Sequence, residues 1–517
     1  MAYDEGTSLE EDHPRSLKPH ARYREKNLWL TLERLATDDA NTGDGPLSAA
    51  LLPLPDLLAR REAAVPVFDG SVRDLIKHLE PATVPLMISA LPRRNAVLWT
   101  LSAFWAAWLW GENAAGSVRN FARRRRYDWA WHETALRASF AACHKLLKPD
   151  SRFVALLPEA DPGFVGAALT AADGADFDLV DFALRGDPME AQFTFGVAQT
   201  FQSARAGGHA LQSLPLQTIR RCAEDTAIAV IRDRGEPVKW GLIISAAFVE
   251  LARDHLLRAA VEQTATDPLE VIMPAVEAAC AHSSQLVHLM AEESPRSGWW
   301  WLADPAAAAD PLADRAERET ARALAEAVDT HAVALERRLC AAFTGWLTPD
   351  ATLISHCLES YGEEHHTVWK FRPEDDPESR AEDVQRIADD LLALGKRLGY
   401  EGRSPREAEV EWREAGSAPI AYCFLVSDTA VISRFVYAAG EGRRVVVVPG
   451  GRAGLVQYKL GRNPRLRVAV EQGGWLFLKF RHVRRLLSEQ TLDRNAILTA
   501  LGLDPISEKG SDQLQLL

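Results

Sequence analysis

Between residues 65 and 197, apolar and polar positions alternate between two periods. Short apolar runs at 65–68, 84–89 and 153–157 predict strands. Longer stretches at 129–147 and 162–172 carry apolar residues at helical spacing, and 177–184 and 192–195 close the block as two more strands. Strands and helices in alternation predict a mostly parallel sheet with crossover helices. The longest apolar run, 96–110, holds Trp99, Trp105, Trp108 and Trp110. It is too short to span a bilayer, so it predicts a buried helix.

Past residue 200 the pattern changes. Residues 218–232 and 242–259 predict two helices around a turn at 233–237, which reads as a helix-turn-helix or winged-helix module or as an ordinary helical hairpin. Trp299, Trp300, Trp301 and Leu302 predict a short strand, and 311–346 and 373–398 charged helices. The last block predicts strands at 408–412 and 420–426 paired as a hairpin. A strand at 444–449, a helix at 451–470 and a strand at 475–480 follow. At the start, 1–25 is a polar arm, 27–36 a short amphipathic helix and 37–48 a loop. The expected division is 1–64, 65–200, 205–305, 306–400, 401–490 and a tail at 491–517.

Composition narrows the classes. A net charge of -13 excludes a uniformly basic nucleic-acid coat but not a local basic groove. The six cysteines form no Cys-x-x-Cys pair, which disfavours a zinc ribbon or a disulfide framework and fits a reducing, cytoplasmic setting. No signal-peptide pattern opens the chain, and no membrane association is expected.

The chemistry-bearing segments are the strand and loop at 86–95, the Trp-rich run after it, and Tyr127, Asp128, Trp129, Ala130, Trp131 and His132. On these residues, 66–197 resembles the second half of an adenine-specific class I DNA methyltransferase. It is similar in particular to large bacterial DNA methylases, a likeness that continues through 299–305 and 311–315. The resemblance implies an apolar strand ending in an Asp-Pro-Pro loop that grips a flipped base. This chain reads Ala90, Leu91, Pro92 and Arg93 there. Ala90 offers no side-chain acceptor, and Ser89 and Asn95 are out of register. The family's glycine-rich cofactor loop has no counterpart before Val65. Its next cofactor segment reads Asp69, Gly70 and Ser71, with Asp69 and Asp74 out of register. Later glycines, 440–442 and 450–451, read as turns.

The last block resembles a restriction-endonuclease-like core. Its first hairpin strand offers Glu409 and Glu411, with Asp428 past the end of the next, an incomplete set for Mg²⁺. Basic residues suited to phosphate contacts are Arg93 and Arg94, then Arg123, Arg124, Arg125 and Arg126, and finally Lys479, Arg481, Arg484 and Arg485. Glu363, Glu364, His365 and His366 do not form a metal site by spacing, and His132 reads as packed. The peptide from Gln513 to Leu517 resembles a sliding-clamp-binding tail.

The expected fold is α/β: an incomplete Rossmann-like methyltransferase sheet, a winged-helix-like region and a C-terminal restriction-endonuclease-like domain. The expected function is double-stranded DNA binding, without methyl transfer, by a degenerate methyltransferase-like component of a bacterial modification, restriction or phage-defence system with a protein partner. No cofactor is expected for the isolated chain. One alternative is the target-recognition half of a split enzyme whose partner supplies the S-adenosylmethionine site; it predicts an exposed apolar edge beside 84–89. A second is a Mg²⁺-dependent nuclease.

Overall fold

A computed structural model describes residues 51–53, 65–67, 71–93, 96–116, 128–197, 216–263, 268–290, 294, 296–326, 330–365, 368–438 and 440–503. The expected N-terminal arm, helix and loop and the clamp-like tail lie outside the described residues.

Strands β1 (Leu51–Pro53) and β2 (Val65–Val67) pair in parallel. A single turn, α1 (Val72–Leu75), comes next. The alternating block is then β3 (Val84–Ala90), α2 (Ala96–Trp110), α3 (Trp129–Leu146), β4 (Leu147–Leu157), α4 (Pro162–Asp173), β5 (Phe177–Gly186) and β6 (Met189–Val197). Its strands lie in the order β3-β4-β6-β5. Only β3 and β4 are parallel; β6 runs antiparallel to both β4 and β5. The expected mostly parallel sheet is thus corrected. Only Asp187 and Pro188 separate β5 from β6, and so short a link permits a hairpin but no crossover.

Alternation along β4 sends Phe153, Ala155 and Leu157 to one face, where they are buried. Phe140 of α3 meets Phe153 edge-on at 5.2 Å, with Phe177 and Phe195 beside them. The other face is open, and β3 is its edge strand. Leu86 is 52% and Ile88 63% exposed. Helix α2 forms where expected but is not buried. Trp108 is 69% and Trp110 74% exposed, and Phe104 and Leu109 are exposed too. Being apolar on every side, α2 has no polar face to give to water, so whichever side turns outward exposes large apolar groups.

Helix α5 (Leu216–Arg234), strand β7 (Val238–Lys239) and helices α6 (Trp240–Arg253), α7 (Leu256–Gln263) and α8 (Pro268–His282) come next. Strands β8 (Leu286–Leu289) and β9 (Trp299–Leu302) join β7 in an antiparallel sheet ordered β7-β9-β8. Helix α6 is buried along almost its whole length and packs on α4 and β5. One apolar core therefore runs from Leu91 to Leu302, on both sides of position 200. Asp173, the last residue of α4, is anchored to the helices behind it. It accepts the backbone N–H of Arg258 at 2.6 Å, and Nδ1 of His255 lies 2.9 Å from its carboxylate.

The expected helix at 311–346 divides into α9 (Leu312–Glu326) and α10 (Ala332–Ala342), with strand β10 (Thr330–His331) between them. Helix α11 (Ala351–Tyr361) leads to β11 (Gly362–His365) and β12 (Val368–Phe371), which pair antiparallel. Helix α12 (Pro377–Arg397) then covers one face of a five-stranded sheet. Its strands are β13 (Tyr400–Arg406), β14 (Glu409–Glu414), β15 (Ile420–Val426), β16 (Arg443–Val448) and β17 (Leu476–Lys479), in sequence order. The first three are antiparallel, as expected of the hairpin; β16 and β17 add in parallel. A turn, α13 (Ser433–Val436), precedes β16. The expected helix at 451–470 is α14 (Ala453–Arg462) and α15 (Pro464–Gln472), divided where Asn463 caps a helix starting with Pro464. Helices α16 (Phe480–Ser488) and α17 (Arg494–Ala500) end the described chain. Trp412 is wholly buried and donates Nε1–H to the Leu391 carbonyl of α12 at 3.0 Å. That approach needs Gly395, where a Cβ would lie 2.6 Å from the indole nitrogen.

Charged side chains are buried between these layers. Lys459 of α14 binds Asp314 at 2.5 Å and also Glu317, both on α9. Glu317 in turn accepts from Tyr361 Oη at 2.6 Å and from the Ala430 N–H at 2.7 Å. Burial alone would raise the Glu317 carboxyl; Lys459 and these donors outweigh it and hold it below its usual range. Lys459→Met should leave two uncompensated buried carboxylates and lower stability by about 3–5 kcal/mol in urea denaturation.

His255 titrates above its ordinary value, first because of its bond to Asp173 and against the effect of burial. A raised folded pKa stabilises fully below the unfolded value of about 6.5 and fades as pH rises through the folded one. The Tm advantage of the wild type over His255→Gln should therefore be largest near pH 5.5–6, at roughly one unit below the unfolded pKa, and shrink toward pH 8–9. An advantage independent of pH would contradict this.

Candidate functional site

The parallel pair β3 and β4 sets the geometry of the candidate site. Ala90, the last residue of β3, pairs with Leu156, and the Leu91 N–H donates to the Leu156 carbonyl at 2.9 Å. The Leu91 side chain turns into the core while Pro92 is exposed. The loop thus leaves the strand at the carboxyl end of the parallel pair, where α/β folds hold their ligands. No side-chain acceptor stands at Ala90.

Arg93 does not project freely from this loop. Its guanidinium binds Glu159 and lies 3.2 Å from Asp161, and its side chain is only 20% exposed. Asp161 also caps α4, accepting from the Phe164 N–H at 3.1 Å. Two carboxylates from the β4–α4 connection therefore hold the cation expected to meet phosphate or base. Beside the loop, Trp129 stacks on Phe164 with centroids 5.8 Å apart, and His132 is buried against both rings, the packed role expected of it.

A cavity of about 590 Å³ adjoins the loop through Leu156. Asp181, Arg185, Glu190 and Gln192 line its polar side, and Thr344 and Thr348 its far wall. Arg185 bonds to Glu336 and lies 3.3 Å from Glu190. Burial would lower its pKa, but Glu336 outweighs that and raises it. The lining is mixed, and its arginine is already paired; Asp181 accepts the Phe182 N–H at 2.9 Å.

The other expected residues are dispersed. Ser71 caps α1: its Oγ accepts from the Asp74 N–H at 3.2 Å and donates to the Asp74 carboxylate at 2.6 Å. With Lys77 at 2.6 Å, these bonds hold the Asp74 carboxyl down at about 2. Ser71 and Asp74 satisfy each other as a local cap. Asp69, Gly70, Arg94, Asn95 and the run Arg123, Arg124, Arg125 and Arg126 lie outside the described residues.

In the C-terminal unit, Glu409 and Glu411 share one face of β14, beside a cavity of about 500 Å³. Glu411 is bound by Arg403 at 2.6 Å and Arg413 at 3.2 Å. Glu409 lies 3.8 Å from Cys423 Sγ, whose thiol is pushed up to about 11 by burial and then by Glu409. Among the described residues no group of three or more His, Cys, Asp or Glu is placed to hold a metal ion. Glu363, Glu364 and His365 lie along β11, and His366 is outside the described residues.

Of the last basic cluster, Lys479 is buried, Arg484 binds Asp383 at 2.8 Å, and Arg485 lies 3.8 Å from Glu489. Arg481 is exposed and lines a cavity with Arg484, Gly450, Gly451 and Arg372. Arg372 is far from Arg481 along the chain, and no sequence spacing marks it; the Pro-Gly-Gly turn between β16 and α14 was the one available signal. In the helical region, the exposed side of α8 carries Glu270 and Pro274, with Glu277 half-buried and 3.2 Å from Arg296. The second helix of the expected helix-turn-helix, 242–259, is divided into α6 and α7, and α6 is buried along almost its whole length, so it offers no exposed face to a DNA groove.

No protein-family model matches the chain, and no curated protein does. Among solved structures, part of the chain is similar to a proposed DNA modification methylase from Thermus thermophilus. Identity is 12%, the match covers 29% of this chain and 58% of that one, and the TM-score is 0.17. No helix among the described residues is long and apolar enough to cross a membrane.

If the two carboxylates hold Arg93, removing Glu159 leaves it one of the two, Asp161, and unmasks part of its charge. Glu159→Ala should raise affinity for duplex DNA roughly threefold at low salt, with a steeper salt dependence. Unchanged affinity in a fluorescence anisotropy titration would mean that DNA does not reach this loop.

Proposed function

We propose that this chain is a DNA-binding, catalytically degenerate methyltransferase-like component of a bacterial modification, restriction or phage-defence system. The observation that carries this reading is the end of β3. The strand-and-loop frame is present, Ala90 stands where an acceptor is needed, and Glu159 and Asp161 hold the one described loop cation. Without an acceptor nothing orients the lone pair of a target amine, and most of the orientation contribution to rate is lost. DNA capture then falls to basic residues away from the loop, Arg123 to Arg126 and Arg481 foremost.

One observation favours a second reading, the target-recognition half of a split S-adenosylmethionine-dependent enzyme. Strand β3 is a sheet edge with Leu86 and Ile88 turned outward, the apolar border that reading requires. Beside it, α2 leaves Phe104, Trp108 and Trp110 exposed, and a patch of that kind marks an interaction surface. The Mg²⁺-dependent nuclease reading draws no such support, because Arg403 and Arg413 occupy Glu411.

A gel-shift series with duplex DNA across salt concentrations tests the first reading. Binding should weaken as salt rises, and charge reversal at Arg123, Arg124, Arg125 and Arg126 should reduce it roughly tenfold or more. A chain with no salt-dependent duplex affinity would sink it.

A further inference from the structure

Strands β16 and β17 are parallel neighbours, so their carboxyl ends open on the same side of the sheet. Each leads directly into a helix start. Beyond β16, Pro449 begins a 3-10 turn, Gly450–Arg452, that is continuous with α14; beyond β17, α16 starts at Phe480. Neither start is covered by a side-chain cap. The leading N–H groups of a helix carry partial positive charge and need acceptors. A cavity of about 330 Å³ lies between the two starts, lined at its glycine turn by Gly450 and Gly451 and around it by Arg372, Arg380, Arg481 and Arg484, with Glu374 and Asp383.

The lining carries more positive than negative side chains, four arginines against Glu374 and Asp383. Arg484 shares Asp383 with Arg380 and Arg386. Arg372 spends two N–H groups on the Glu359 and Ser360 carbonyls, which fixes its guanidinium, and it pairs with Glu363 at 3.9 Å. Arg481 makes no ion pair among the described residues, and its Nε–H meets only His482 Nε2, at 3.4 Å. In front of Gly450 the space is open: a Cβ there would find nothing closer than Arg481 Cδ at 4.0 Å. At Gly451 the same position is taken by Arg372 Nη1, so the open approach to the glycine turn is at Gly450, beside the Arg481 fork, and is wide enough for a tetrahedral anion.

We propose that this cradle binds a phosphoryl group, with Gly450 and Arg481 as its contacts and Arg372 and Arg484 supplying the field. The group is the phosphate of a nucleotide or a phosphodiester of the DNA backbone. Every residue of the cradle lies beyond the methylase-like frame in sequence, and the inference does not rest on how the β3 loop is read.

The test uses the full chain and three probes: inorganic phosphate, ADP, and a duplex of about 20 base pairs read by anisotropy across salt concentrations. The variants are Arg481→Glu, Arg481→Lys and Gly450→Asp, each checked for an unchanged Tm. At least one probe should bind the wild type. Its affinity should fall roughly tenfold in Arg481→Glu and Gly450→Asp and stay largely intact in Arg481→Lys. A nucleotide source shows as loss of ADP and phosphate binding. A DNA source shows as loss of duplex affinity, with the log–log salt slope reduced by about one. If no probe binds, or if all three bind the variants as they bind the wild type, the cradle is not a phosphate site. Duplex binding that survives Arg481→Glu but falls on charge reversal at Arg123 to Arg126, with ADP and phosphate binding absent or unchanged in the variants, overturns this inference and leaves the DNA-binding reading standing.

Discussion

The arrangement depends on one buried guanidinium. Arg462, at the end of α14, reaches out of the C-terminal unit and binds Glu236 at 2.7 Å and also Asp350. Arg234 lies 3.4 Å from the same Glu236. The other oxygen of Asp350 accepts the Gly186 and Asp187 N–H groups at 2.6 and 2.9 Å, at the turn between β5 and β6. Four segments distant in sequence thus meet at a single charge. Burial would raise Glu236 and Asp350, but the arginines outweigh it and hold both below the usual carboxylate range. Buried ions cost several kcal/mol each to desolvate unless they are paired and fully hydrogen-bonded. Any shift of the C-terminal unit against the sheet would strand at least one of them, so the network admits one docking geometry.

That geometry fixes one end of the β5–β6 hairpin and, with it, the cavity beside the β3 loop. The loop itself is shaped by pairing with β4 and by the Arg93 clasp to Glu159 and Asp161. What results is a concave site whose arginines, Arg93 and Arg185, are held by carboxylates. Such a site can hold a shape in place; it lacks an acceptor aimed at a reacting amine. The apolar edge of β3 and the outer face of α2 are the opposite case, with large apolar surface and no described neighbour to cover it. Under the proposed function, these two features are what a recognition component would use.

The elements that local periodicity defines were legible. Strands β3 and β15 and helices α3 and α4 fall close to where the apolar spacing predicts them, whereas β4 begins at Leu147 instead of 153 and the helix expected at 451–470 is two. Sheet order was not legible, because pairing depends on connection length and on partners far along the chain; the two-residue link makes β6 antiparallel to β5, but nothing local places it beside β4. The exposure of α2 was hidden for a different reason. A uniformly apolar helix carries no moment to say which side, if any, it hides. Side-chain fates were the least legible. Arg93 reads as a free cation until Glu159 and Asp161, 66 and 68 residues away, are folded against it. Ser71 reads as a departure from a cofactor segment, yet Ser-x-x-Asp at a helix start is a cap by itself. Arg372, which helps shape the cradle at Gly450, carries no sequence signal at all.

The central claim is that the frame around β3 no longer serves methyl transfer in this chain. Calorimetric titration with S-adenosylmethionine, with and without duplex DNA, tests it most directly. The expected result is no binding heat in either condition. Micromolar binding by the isolated chain would contradict it, because a formed cofactor site would then exist despite Ala90 and Ser71.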